Sequence, residues 1–120
     1  MDQVVIAVVA VFFAGMGIYA LAAPASLIAT FGITLPTADG RNEVRAVYGG
    51  FGLAVAAALA LARYDVGLRD GIVLTVALAL AGMAAGRVVS MAVERPSRFY
   101  PTVFYLLVEA ALAAALLAVR

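Results

Sequence analysis

Between Val4 and Ala23 the chain runs for 20 residues without one charged side chain. At 1.5 Å per residue a helix of that length is about 30 Å long, one hydrocarbon thickness of a bilayer. Three more apolar runs follow, at residues 46–62, 71–93 and 102–119. The second is the shortest and reaches across if Arg45 and Arg63 snorkel at its ends. Lipid offers no hydrogen bonds to backbone groups, so such runs must be helical. None alternates as a membrane β-strand does. The expected fold is all-α: residues 1–120 form one integral membrane domain, a four-helix up-down-up-down bundle.

Composition agrees. Hydrophobic residues make up 67% of the chain and charged residues 12%, with a mean hydropathy of +1.12. A soluble domain carries roughly 25% charged residues. The chain has no His, Cys, Lys or Trp. That excludes thiol catalysis, disulfides, Lys Schiff bases, a His general base and His/Cys metal sites. No metal site and no cofactor motif is expected. A net charge of +1 gives no reason to propose nucleic acid as a partner. Ala20-Leu21-Ala22 resembles a signal-peptide cleavage site, but Met1-Asp2-Gln3 lacks a basic residue and the apolar run is too long. The first run is therefore read as an uncleaved span.

The connection from Pro24 to Arg45 is the longest. Pro24 suits the first turn of a helix, Leu27, Ile28 and Phe31 then share one face, and Gly32 stops the run. A short interfacial helix is expected there, between the first and second spans. Asp39 is the candidate cap for the second span. Arg63 to Asp70 reads as a short polar loop, and Pro96 and Pro101 end the third span and begin the fourth. Short connections imply antiparallel neighbours, with both termini and the second connection at one face. The arginines are spread too evenly between the two faces to set an orientation.

The informative residues are the polar ones inside the spans. Arg87 lies about six residues before the end of the third span, and Glu109 about seven after the start of the fourth. In antiparallel helices both sit roughly 9–10 Å inside the same face. Arg45 and Tyr48 of the second span and Tyr19 of the first fall near that layer. Helical spacing makes stripes of Arg45, Tyr48, Gly49 and Gly52, of Arg87, Ser90 and Glu94, and of Thr102, Tyr105 and Glu109. An unpaired Arg at mid-span costs about 2.5–3.5 kcal/mol, so Arg87 and Glu109 are expected to pair. Such a pair either staples two helices or belongs to a ligand site. Small residues mark close helix approach: Gly49 and Gly50 in the second span, and the GxxxG of Gly82 and Gly86 in the third. The GxxxG serves either packing within the bundle or a seam between copies of the chain.

Arg45-Ala46-Val47-Tyr48-Gly49-Gly50, then Gly82 to Ser90 with Pro96 beyond, and a lone Glu109 in the last span form a recognisable set. In these motifs the chain resembles domain of unknown function family 4345, small bacterial four-helix membrane proteins in the neighbourhood of the DoxX-like group. The resemblance implies a four-helix inner-membrane architecture and weight on Arg45, Tyr48, Gly49, Gly50, Arg87, Ser90 and Glu109. It implies no activity.

The leading expectation is a small membrane protein with a one-sided polar pocket lined by Tyr19, Arg45, Tyr48, Arg87, Ser90, Tyr105 and Glu109. Two arginines against one carboxylate favour an anionic or amphipathic ligand such as a lipid. Besides the lipid bilayer, the partners expected are that ligand and further copies of the chain or a larger membrane complex. One alternative is an accessory or structural subunit of such a complex, working through its Gly and Ala faces. Another is a small proton-coupled transporter using Glu109, although an arginine at the same depth opposes proton exchange. An enzyme has least support, since no nucleophile with an adjacent base is visible.

Overall fold

The computed structural model describes residues 2–120. The chain folds into α1 (Asp2–Ala22), α2 (Pro24–Ala29) and α3 (Ala38–Val44). A π-helical stretch (Arg45–Gly50) follows, and then α4 (Phe51–Tyr64), α5 (Val66–Val93) and α6 (Thr102–Val119). From α3 through α4 the helix is continuous, so four helices are long and apolar enough to cross a membrane: Asp2–Ala22, Ala38–Tyr64, Val66–Val93 and Thr102–Val119. Only 17 to 28% of the most apolar 18-residue window of each span is buried, and many of the remaining residues face outward. Val11 and Val89 are 71% and 65% exposed. Water would oppose so much contiguous apolar surface, whereas a bilayer solvates it. The long axis measures 44 Å, close to the thickness of a bilayer with its headgroup regions.

Two connections differ from expectation. The second span starts at Ala38, earlier than expected, and its cap is Thr37, not Asp39. Thr37 is extended (φ −118°, ψ 157°), and its Oγ1 accepts the Gly40 N–H at 3.0 Å. Asp39 lies inside the first turn, where its charge meets the positive end of the helix dipole. Thr37→Ala should lower stability by about 1 kcal/mol, read as a lower melting temperature in mild detergent.

The expected polar loop from Arg63 to Asp70 is almost wholly helical, and Asp65 alone breaks it. Asp65 caps α5 by accepting the Leu68 N–H at 3.1 Å. Arg69 reaches back with Nε to the Ala62 carbonyl and Nη2 to the Arg63 carbonyl, both at 2.8 Å. The last carbonyls of α4 are thus satisfied by a side chain from the next helix. Charge in this segment marks capping, not a loop.

The packed core lies towards one end. Ile6, Val9 and Phe13 of α1 meet Leu59 of α4, Val73, Val76 and Leu80 of α5, and Ala113 and Leu116 of α6. That end is closed by Arg63 donating to Gln3 at 3.0 Å and Arg120 donating to Asp70 at 3.3 Å. The most extensive pairings are α1 with α4 and α5 with α6. The first rests on glycines. A Cβ built on Gly17 would stand 2.8 Å from the Gly49 carbonyl oxygen and 2.9 Å from the Leu53 backbone nitrogen. Gly52 lies as close to Phe13, at 3.0 Å from its carbonyl oxygen. Gly82 and Gly86 face open space, with nothing within 4 Å of a built Cβ. Gly50 is exposed as well. Within one chain the glycines of the π stretch and α4 bring backbones together, and the GxxxG of α5 does not.

Candidate functional site

The intramembrane charges lie towards the other end. Arg87 on α5 faces Glu109 on α6 through two parallel bonds, Nε to Oε1 at 2.7 Å and Nη2 to Oε2 at 2.9 Å. This fork is the strongest geometry open to a neutral pair of opposite charges. Glu109 is 1% exposed, and the Arg87 side chain is 24% exposed. Both carboxylate oxygens are therefore spent inside the protein, while Arg87 keeps an accessible edge. Its Nη1 makes no hydrogen bond among the described residues. The rings of Phe31 and Tyr105 each lie 5.8 Å from the guanidinium carbon, within cation–π range.

Beside the pair lies a pocket of about 240 Å³. Tyr19, Tyr48, Arg87, Tyr105 and Glu109 all line it, five of the seven candidates. The walls are otherwise apolar, with Phe12 and Met16 from α1 and Met83 from α5. The Tyr48 hydroxyl has no hydrogen-bond partner among the described residues and is half-buried.

Arg45 and Ser90 are not among the lining residues. Arg45 is exposed and donates from Nε to the Leu21 carbonyl at 3.1 Å, satisfying a terminal carbonyl of α1. The cause is the π stretch. Its hydrogen bonds run from residue i to i+5, as from the Phe51 N–H to the Ala46 carbonyl, so α-helical spacing no longer sets the faces. Tyr48 turns to the pocket, Gly49 packs on Leu21 and Arg45 turns to the end of α1. Ser90 is exposed on α5. Three residues beyond Arg87 it points about 60° away around the helix axis.

The residues missed as pocket walls are Leu27, Ile28 and Phe31. Their shared face was legible, and in the structure it covers the pocket. The Tyr19 hydroxyl and Ser26 Oγ, 2.7 Å apart, tie α1 to α2 and hold the cover down. Gly32 lies just beyond Phe31 at φ 77°, a left-handed turn that favours glycine. Phe31 stacks 5.5 Å from Tyr105, and Tyr100 sits 6.0 Å from the same ring. The Thr30 hydroxyl, with Tyr105 second, holds the Tyr100 phenol below its usual value. Aromatic contacts therefore join the end of α2 to the start of α6.

These features define a small multi-pass helical membrane protein with an ion pair beside a covered pocket inside its spans. The family described as Domain of unknown function (DUF4345) matches residues 1–119, and the chain belongs to it. No curated protein and no solved structure matches this chain.

Proposed function

We propose that this is a protein of the bacterial inner membrane whose pocket binds a small amphipathic ligand. The observation that carries the reading is the space itself. A staple between α5 and α6 needs the Arg87–Glu109 bond and nothing more. Here about 240 Å³ adjoins that bond, walled by three tyrosines and covered by Phe31. Arg87 retains free N–H groups beside it. Convergent polar groups in an apolar pocket are the usual form of a small-molecule site. The balance of charge shifts the preference away from a simple anion. Arg45 serves the end of α1, so one arginine faces one carboxylate.

Native mass spectrometry of protein released from mild detergent tests this. A persistent adduct of defined mass is expected. Tyr48→Phe should lower its occupancy, and Arg45→Ala should retain it. A bare spectrum under conditions that keep the fold overturns the proposal.

A second reading, a subunit of a homo-oligomer or of a larger membrane complex, draws on the exposed Gly82 and Gly86 of α5. Exposed small residues at that spacing let a neighbouring helix approach. Defined stoichiometry in the same spectra supports it, and a monomer that captures no partner counts against it.

A further inference from the structure

The pocket does not end at the ion pair. Met16, Tyr48 and Met83 also line a second cavity of about 480 Å³, which continues past Val47 and Phe51. Phe51 and Met83 in turn line a third, of about 400 Å³, between α4 and α5. The three adjoin one another in a line from the polar layer along the side of the bundle, with Met83 common to all. Small residues leave room in its far wall: Ala54 and Ala58 on α4, Gly71 and Ala79 on α5, beside Val55, Ile72 and Val76. Along α5 the path runs from Arg87 to Ile72, about 22 Å at helical rise. That is longer than half of a hydrocarbon core of about 30 Å, and a full acyl tail occupies about half.

We infer that the ligand is a long-chain amphiphile with an uncharged, hydrogen-bonding head, held with its head at Tyr48 and Arg87 and its tail between α4 and α5. This rests on the pocket reading above and deepens it. The head is uncharged because the ion pair already balances its own charges. A charged head would bring an uncompensated charge to a half-buried layer. It accepts and donates hydrogen bonds because the Tyr48 hydroxyl and Arg87 Nη1 are the groups left to satisfy. The tail is long because the adjoining cavities are lined mostly by apolar residues over that length. An ordinary bilayer lipid does not fill the whole path, since its head stays at the interface and the Arg87 layer lies roughly 9–10 Å below it. Entry is lateral, from the lipid, since Ala54 and Ala79 are exposed on the bundle's flank.

Retention of monoacylglycerols in mild detergent, read by native mass spectrometry, tests head and tail separately. The wild-type protein should retain the palmitoyl ester roughly tenfold more than the octanoyl ester. It should also prefer the palmitoyl ester to free palmitate. Ala79→Trp and Ala54→Trp place a large ring in the path from opposite walls and leave the polar layer alone. Each should erase the chain-length preference and keep octanoyl binding. Equal retention of both esters by the wild-type protein, or a preference that survives both substitutions, overturns the tail path and leaves the pocket standing. A preference for palmitate overturns the uncharged head. Retention of none of the three probes removes the pocket reading and this inference with it.

Discussion

Arg87→Ala should destabilise the protein by about 3–5 kcal/mol, the largest loss expected from any single substitution outside the core. Glu109 is 1% exposed and takes both of its hydrogen bonds from Arg87. Removing the guanidinium strands a buried carboxyl group without a donor. Glu109→Ala should cost less, since the Arg87 side chain is 24% exposed and can turn towards the pocket. Replacing both residues by leucine should return the protein to within about 1 kcal/mol of the parent, because no buried charge is then left alone. Denaturant-induced unfolding in mild detergent of the parent, Arg87→Leu, Glu109→Leu and the double leucine variant closes the cycle. If the double variant loses the sum of the two single losses, the residues are not coupled and the fork does not form.

Gly17→Ala is the second. Its new methyl would stand 2.8 Å from the Gly49 carbonyl oxygen and 2.9 Å from the Leu53 nitrogen, both backbone atoms. Backbone cannot swing aside, so α1 must move off α4, at a cost of about 1–3 kcal/mol. Gly49→Ala is crowded by the Leu21 side chain at 2.8–2.9 Å, which can shift, and meets the Gly17 carbonyl oxygen only at an ordinary 3.5 Å, so the loss should be smaller. Gly86→Ala meets nothing within 4 Å and gains helix propensity of about 0.5–1 kcal/mol. The order Gly17, Gly49, Gly86 in melting temperature is the expected outcome. A Gly86→Ala variant that loses stability while Gly17→Ala does not would reverse the assignment of the packing face.

Small residues thus have opposite uses in one chain, and their spacing does not tell them apart. Gly82 and Gly86 form the recognisable motif, yet they face outward. Gly17, Gly49 and Gly52 form no GxxxG and carry the tightest contact. The polar residues divide in the same way. Arg87 and Glu109 were legible as a pair because two mid-span charges at one depth have few other ways to be neutralised. Arg45 was legible as polar and near that depth, but its partner is the Leu21 carbonyl. Nothing in the spacing of Arg45 to Gly50 signals a π stretch, so the stripe drawn through Arg45 and Tyr48 assumed a regular helix.

The sequence by itself determined the number of spans and placed Arg87 and Glu109 where they could pair. Each follows from one-dimensional physics. Lipid forces backbone hydrogen bonds inside the helix, and the rise per residue converts position into depth. Only the tertiary structure decided direction around each helix and the space between helices. The π stretch turned Arg45 away, the glycines drew α1 onto α4, and α2 folded back over Arg87. The pocket lies between α1, the α2 segment and the α5–α6 pair. A void is a property of three surfaces that fail to meet, and no single run of residues encodes it.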